Sequence, residues 1–221
     1  MTRIHSGALL TRLPGPKYAA ALEFAEVELP SPMPTARTLR RWQELAVGRV
    51  TLGLVVPDVA TTSPKGPLRF DAAMEEALAR TQEAAAIFGA RFIVLPTKSD
   101  VTTGPRDRDL LTAWVGRWEA TTHTLVWHPS GLWDAEIARP FAKKLGVLLA
   151  FDPLEVRPEG GPTLYARLRA VGTRKRFNET LLLETVDRLA SSGAQDAFVS
   201  LDSPKSFAEA QRMAALAVLE A

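Results

Sequence analysis

Eight short apolar runs, separated by longer amphipathic or polar segments, constrain the fold of this chain more than any other sequence feature. The runs are rich in Val, Leu and aromatic residues, with Gly, Pro or Asp at their edges, which is typical of β-strands. Several are apolar at consecutive positions, as expected for parallel strands covered on both faces. They lie at 24–29, 50–57, 91–96, 123–128, 146–151, 163–168 and 196–201, with a weaker run at 2–7.

Helical patterns lie between these runs. In 70–88, apolar residues recur at spacings of three and four, and Gly89 supplies a stop. Thr35 is placed to cap a helix in "TARTLRRWQELA", and Asn178 to cap the helix that follows the 163–168 run. Ser203, with a proline after it, predicts the start of the last helix. Strands and helices therefore alternate along the chain.

This alternation predicts an α/β fold, a compact (β/α)8 barrel of the TIM type. The 221 residues lie near the lower size limit of that fold, which is about 200 residues. Segment 152–162 holds no helical pattern, so a helix should be missing between strands 6 and 7 of the barrel, which are the runs at 146–151 and 163–168. An open doubly wound sheet is the alternative. Segments 58–69 and 97–109 read as polar loops too short to link domains, so we expect one domain over 1–221.

Composition excludes several classes of protein. The chain has no cysteine, which excludes disulfides, thiol nucleophiles and Cys-ligated zinc. No segment approaches the roughly 18 apolar residues of a membrane span, and the short apolar run before Arg12 is too brief for a signal peptide. We therefore expect a cytoplasmic protein with no membrane association. The net charge of +2 means that an electrostatic partner must recognise a local cluster.

Candidate catalytic residues follow the strands, because the chemistry of a barrel lies at the carboxyl ends of its strands. Glu28, Asp152 and Asp202 are carboxylates that could share acid–base work or hold a metal ion through oxygen. An Asp directly after a strand is more commonly a cap or Asx-turn residue. His128 precedes a Pro-Ser-Gly turn and is a further candidate, although a structural hydrogen bond is the favoured role for it. No histidine spacing indicates zinc, and no Walker, GxGxxG or GxSxG motif indicates a cofactor or a hydrolase.

The most basic stretch is "YARLRAVGTRKRFNE" at 165–179. Arg167 and Arg169 alternate with apolar residues, so on a strand both point to the same face. Barrel enzymes commonly bind phosphate at the loops after strands 7 and 8, so Arg167, Arg169 and Tyr165 are candidate ligands for a phosphate or carboxylate group. The following loop cations could bind an anion or merely be solvated; they are Arg174, Lys175 and Arg176. Nucleic-acid binding is a weaker hypothesis, because few aromatic residues accompany the cations.

Several motifs resemble a known family. In order, they are "VELPSPMPTARTLRRW", "TLGLVVP", "FIVLP", "LVWHPSGLW", "LLAFD", "LYARLRAVGTRKRF" and "AFVSLDSPKSFAEAQRMA". They resemble the YecE-like family, domain-of-unknown-function family 72. The resemblance spans nearly the whole chain through short motifs. It implies a TIM barrel with no firmly established activity.

This chain departs from the family where the family has polar residues. Glu28 matches the family's Glu-x-Asn stretch, but Pro30 replaces the Asn and the nearby Phe-Tyr pair is absent. Apolar residues stand near the family's Lys, Gln, Glu and Arg positions; they are Val55 or Val56, Val94, Leu125 and Trp127. The family's Tyr-x-Arg-x-His-Gly pattern becomes Tyr165, Arg167, Arg169 and Ala170, and its closing Asn becomes Asp202. The resemblance therefore implies a divergent member that has lost polar pocket residues.

Three functions follow, and whether the protein is an enzyme stays open. The favoured one is a degenerate barrel with little or no catalytic activity that acts as a binding or interaction module for a protein partner or another subunit. Four tryptophans could form its contact surface, although the spacing in "LLTAWVGRW" is more typical of a helix packed on the barrel core; they are Trp114, Trp118, Trp127 and Trp133. The alternative is an enzyme or binder for a phosphorylated or acidic small molecule, whose anion Arg167 and Arg169 would hold. Nucleic-acid binding or cleavage comes third.

Overall fold

The computed structural model describes residues 1–45, 50–118, 123–170 and 175–219. Every predicted apolar run is a strand, and a short hairpin is added to them. The strands are β1 (Arg3–Leu10), β2 (Phe24–Glu28), β3 (Thr51–Val55), β4 (Thr62–Ser63), β5 (Gly66–Pro67), β6 (Phe92–Pro96), β7 (Thr124–His128), β8 (Leu148–Phe151), β9 (Thr163–Arg169) and β10 (Asp196–Asp202). Eight of them close into a parallel barrel in the order β1-β10-β9-β8-β7-β6-β3-β2. The predicted TIM-like fold is therefore confirmed.

Seven helices accompany these strands in the described residues. They are α1 (Pro16–Ala19), α2 (Ala36–Leu45), α3 (Ala72–Phe88), α4 (Pro105–Val115), α5 (Ala135–Leu145), α6 (Glu179–Ala190) and α7 (Ser206–Leu219). The chain between β8 and β9 holds no helix, as the sequence predicted. Within the described residues, no helix combines the length and the apolar character needed to cross a membrane.

Two helix boundaries follow from local sequence as expected. Gly89 adopts the left-handed conformation at φ 60° directly after α3, and its amide closes the last turn of that helix. Asn178 precedes α6, and its side chain accepts a hydrogen bond from the amide of Leu181. The predicted stop of α3 and the predicted cap of α6 are both confirmed.

Three local predictions need correction. Helix α4 begins at Pro105, inside the predicted loop 97–109, because proline suits the first helical turn. The predicted loop 58–69 contains the β4–β5 hairpin. Ser203 is not the cap that immediately precedes α7, since that helix begins at Ser206. The Ser203 side chain instead accepts from the amide of Lys205.

The chain divides into two compact units, each defined by the contacts among its own residues. The first comprises Met1–Glu26, Ala46–Thr51 and Ala150–Ala221. It contains β1, β9 and β10, with α6 and α7 packed beside them. Strand β10 lies between β1 and β9 in parallel register. The expectation of a single domain over 1–221 stays a prediction.

The second unit comprises Val27–Leu45 and Leu52–Leu149. Its core contains the aromatic cluster of Trp127, Trp133 and Phe141, in which Trp133 and Phe141 stack at 5.4 Å. All four tryptophans proposed as a contact surface are buried in this unit; they are Trp114, Trp118, Trp127 and Trp133. The predicted tryptophan surface is therefore wrong, because these rings form the core.

Candidate functional site

The register of the first unit places side chains in successive layers. His5, Phe198 and Tyr165 occupy one level of β1, β10 and β9. Gly7, Ser200 and Arg167 occupy the level two residues further along these strands, and Asp202 faces Arg169 at the carboxyl end. Because side chains alternate along a strand, residues two apart share a face. An aromatic layer, a polar layer and an ion pair at the carboxyl-end rim therefore follow one another.

The polar layer centres on Glu26 of β2. The Tyr165 hydroxyl donates a hydrogen bond to Oε1 of Glu26 at 2.8 Å. Arg167 donates to Oε2 from Nε at 3.1 Å and from Nη2 at 2.9 Å. Strands β2 and β9 are separated by β1 and β10 in the barrel order, so these bonds cross the interior. We call Glu26, Tyr165 and Arg167 the central network.

Burial makes the central network energetically important. Glu26 is 0% exposed and Arg167 is 7% exposed. A charge removed from water is tolerated only when an opposite charge and hydrogen bonds compensate it. Glu26 and Arg167 supply that compensation to each other, and the Tyr165 hydroxyl satisfies the other carboxylate oxygen.

The pKa values of the two partners of Glu26 follow from this environment. Desolvation, and then the negative charge of Glu26, raise the pKa of Tyr165 well above its ordinary value. Desolvation alone would lower the pKa of Arg167, but the charge of Glu26 beside it leaves that pKa raised. At neutral pH, Tyr165 is therefore a neutral hydrogen-bond donor and Arg167 is a cation.

Aromatic rings pack against Tyr165 of the central network. Phe24 lies two residues before Glu26 on β2 and meets the ring of Tyr165 edge-on at 5.8 Å. It meets Phe198 in the same manner at 5.4 Å. Edge-to-face pairs at these separations are favourable and restrict ring rotation. The Tyr165 hydroxyl is therefore directed at Glu26 by a ring with little freedom.

The carboxyl-end rim holds a second ion pair. Nε of Arg169 lies 3.2 Å from Oδ2 of Asp202. The two side chains are 51% and 38% exposed, in contrast to the central pair. Solvent screens an exposed pair, so this one contributes little to stability. The two arginines of β9 thus share a face, yet they differ sharply in their access to a ligand.

Each of the other predicted site residues lies within one of the two units. Glu28 is exposed, and it belongs to the second unit. Asp152 forms an Asx turn, in which Oδ1 accepts from the amide of Leu154 at 2.9 Å. His128 is partly buried at the end of β7, and its carbonyl accepts from the amide of Thr97. Asp202, the other predicted carboxylate of the first unit, lies beside Arg169, which was also predicted as a site residue.

Sequence reasoning missed Glu26, although a signal for it was present. Glu26 stands in the middle of the apolar run and on the same face as Glu28. A carboxylate in the middle of a strand that is covered on both faces needs a buried partner, whereas Glu28 stands at the end of the run. The rule that sites lie at strand ends favoured Glu28. The buried partner of Arg167 is Glu26, two residues earlier on the same strand.

The basic loop after β9 is described in part. Arg174 lies outside the described residues, whereas Lys175 and Arg176 are exposed. The loop is attached to α7 through Glu209, which accepts from the amide of Phe177 at 3.0 Å. The Ser203 hydroxyl donates to the other oxygen of Glu209. Glu209 therefore ties the loop after β9 to the loop after β10.

The second unit contains the positions at which the resemblance implies polar residues, and most of them are apolar and buried here, whereas Leu125 is half-buried. Val55 is 4% exposed, Val94 0% and Trp127 1%. The Trp127 indole donates to the Thr97 hydroxyl at 3.0 Å, so its polar atom is satisfied. Within the described ranges, no group of three or more His, Asp or Glu side chains is placed to hold a metal ion.

Comparison with known proteins agrees with this geometry at the level of fold. Neither the family models nor the curated protein sequences gave a match to the chain. Among solved structures, a DUF72 family protein from Enterococcus faecalis is similar, with a TM-score of 0.70 at 12% identity over 97% of this chain and 95% of that one. A DUF72 family protein from Thermotoga maritima has a TM-score of 0.65 at 12% identity over 90% and 85%.

Other barrels are similar to a lesser degree. A family 2 AP endonuclease from Brucella melitensis has a TM-score of 0.54 at 11% identity, over 92% of this chain and 93% of that one. All these identities are low, so the likenesses show a shared TIM-barrel fold. The fold implied by the sequence motifs of the YecE-like family is thereby confirmed.

Proposed function

We propose that this protein is a divergent YecE-like barrel that acts as a binding or interaction module with little or no catalytic activity. The observation that supports this proposal is that the polar groups of the central network bond to one another. Both oxygens of Glu26 are bonded within the protein, one to Tyr165 and one to Arg167. The residues with the chemistry of an active site are thus used to stabilise the barrel.

Proton transfer by this network is unfavourable near neutral pH. A general acid or base works best when its pKa lies near the operating pH. The pKa of Tyr165 lies well above 10, and Arg167 has a raised pKa, so neither group exchanges a proton readily. A substrate would also have to reach Glu26, whose exposure is 0%.

Anion binding by Arg167 is unfavourable for a related reason. An incoming phosphate would meet a guanidinium that is 7% exposed and already bonded to the Glu26 carboxylate through two nitrogens, so full transfer of Arg167 to the phosphate would require displacing Glu26. That displacement would leave a buried carboxylate without its counter-ion, a costly arrangement. Arg167 therefore serves the fold, and the ligand of a binding module must contact other residues.

Thermal unfolding in a phosphate series tests the proposal. A ligand that binds the folded state raises the melting temperature in a saturable manner. We expect phosphate and sugar phosphates to act no differently from chloride at matched ionic strength. A saturable, phosphate-specific rise that disappears in Tyr165→Phe, which keeps the ring and disturbs the central network, would contradict the proposal. Light scattering in the same buffers reports whether the chain associates with itself.

A second candidate function rests on Arg169. This side chain is half exposed at the carboxyl-end rim, and its bond to Asp202 is long at 3.2 Å. An acidic small molecule could replace Asp202 there at low cost, because exposed ion pairs are weak. The test is phosphate-induced stabilisation in Asp202→Asn and Arg169→Gln. The first change should enhance it and the second abolish it, while Arg212→Gln, in the exposed pair with Glu179, should leave it unchanged.

A further inference from the structure

A groove opens beside the carboxyl end of β1. It is lined by residues of the 10–18 segment, which includes α1, and by Phe207 in the first turn of α7. Its volume is about 330 Å³. That volume lies in the range of small-molecule sites, which is roughly 300–1,000 Å³. We call it the β1 groove, and it lies entirely within the first unit.

The walls of the β1 groove are mostly apolar. Leu10, Leu13 and Pro14 contribute aliphatic surface, and the rings of Tyr18 and Phe207 lie 5.3 Å apart. The Tyr18 hydroxyl is already used, since it donates to the carbonyl of Phe24 at 2.7 Å and accepts from the amide of Ala8 at 2.8 Å. Tyr18 therefore offers its ring to a ligand, and its hydroxyl stays bonded inside the protein.

Two cations stand in the lining of the β1 groove. Arg12 and Lys17 are both exposed. Within the described ranges, neither forms an ion pair, and none of the groove's lining residues is acidic. Uncompensated charges of one sign beside a concave apolar wall attract a ligand of the opposite sign. The β1 groove therefore combines an apolar surface with a positive potential.

We propose that the β1 groove binds a small amphipathic anion, namely a free molecule with an aliphatic body and one carboxylate. The aliphatic body lies against Leu10, Leu13 and Phe207. The carboxylate lies between Arg12 and Lys17. This inference rests on the proposed function of the barrel as a binding module, and it places the ligand away from the central network.

The chain offers a position in the lining of the β1 groove where a large side chain can be introduced without backbone strain. Gly15 lines it with φ −88° and ψ −178°, a conformation open to any residue. A Cβ added at Gly15 meets no atom within 4 Å. Gly15→Trp is therefore the variant chosen to obstruct the groove with a large ring while both cations stay in place. Arg12→Gln with Lys17→Gln removes the charge and keeps the apolar walls.

The experiment measures the dissociation constant of octanoate by ligand-observed NMR. Octanol has the same body without the charge, and acetate has the charge without the body. We expect octanoate to bind more tightly than either. Gly15→Trp and the Arg12→Gln, Lys17→Gln double variant should each weaken octanoate binding about tenfold or more. Arg40→Gln with Arg41→Gln, which removes two exposed cations of α2, should leave it unchanged.

Several outcomes would overturn the inference. They are no binding of octanoate, octanol binding as tightly as octanoate, or equal affinity in wild type and Gly15→Trp. Binding to vesicles of anionic lipid without binding of free octanoate would indicate a membrane surface instead. A different result would contradict the proposed function, namely the phosphate-specific rise in melting temperature described above. The two failures are therefore distinguishable.

Discussion

Arg167 meets Glu26 through two nitrogens, at 3.1 and 2.9 Å, although the residues are 141 positions apart in the chain. The pair joins β9 to β2 across the barrel interior, and both side chains are nearly or fully inaccessible to water. Two donors of one planar guanidinium that converge on a single carboxylate oxygen fix orientation as well as distance. The pair therefore specifies which side chains face each other inside the barrel.

Glu26→Gln should be strongly destabilising. The substitution keeps the size of the side chain but removes the buried negative charge that faces Arg167, and breaking a buried ion pair in this way costs about 3–5 kcal/mol. Denaturant unfolding measures the loss. Asp202→Asn is the matched control at the exposed pair, and it should cost less than about 1 kcal/mol. Equal losses at the two sites would show that burial does not distinguish them.

Tyr165→Phe isolates the hydroxyl of the central network. The ring keeps its edge-on contact with Phe24, while one oxygen of Glu26 loses its donor. A hydrogen bond to a charged group contributes about 1.5–3 kcal/mol, so we expect a loss of that size in the free energy of unfolding. A neutral result would indicate that water replaces the hydroxyl.

Stability should fall at alkaline pH because both tyrosines of the chain are buried. Burial raises the pKa of Tyr18 from 10.0 to about 12, although the amide of Ala8 opposes the shift. The unfolded state loses the tyrosine proton first, so stability is fully present below pH 10 and is lost as pH rises toward 12. Each tyrosine contributes a slope of about 1.4 kcal/mol per pH unit.

Phenolate absorbance checks this pH dependence. Near pH 11, the folded protein should show little phenolate, and the protein in denaturant should show most of it. Tyr18→Phe should reduce the alkaline slope of stability. Ordinary titration of both tyrosines in the folded protein, with a midpoint near 10, would contradict the burial that the structure shows.

Gly7→Ala should destabilise the barrel sharply. A Cβ at Gly7 would lie 2.2 Å from the carbonyl oxygen of Phe24, which belongs to a strand backbone and cannot move aside. Overpacking costs about 1–3 kcal/mol, and we expect the upper end of this range or more. Gly15→Ala, which meets open space, should be close to neutral in the same unfolding assay. Comparable effects of the two changes would contradict the close approach.

The sequence predicted the strands well for a physical reason. A strand covered on both faces must be apolar at consecutive positions, and this pattern is visible without tertiary information. The absent helix between β8 and β9 was predictable because 152–162 is rich in Pro and Gly. The start of α7 was placed too early, because the Ser203 side chain bonds locally to the amide of Lys205 and to Glu209 while the helix itself begins at Ser206.

The candidate site was harder to predict because its partners are distant in sequence. The common face of Arg167 and Arg169 follows from alternation alone. Their different environments depend on which strand lies opposite, and no local pattern reveals that β2 delivers Glu26 to Arg167. The β1 groove could not be predicted either, because its lining combines the 10–18 segment with Phe207, which are far apart in sequence and come together through the pairing of β1 with β10.

The central claim is that Glu26 and Arg167 serve the stability of the barrel, and a double-mutant cycle on unfolding free energy tests it most directly. The variants are Glu26→Leu, Arg167→Met and both together. We predict that each single change costs several kcal/mol, about 3–5, and that the double variant regains most of that loss because no buried charge is left unpaired. Losses that simply add, or single changes without effect on stability, would contradict the account.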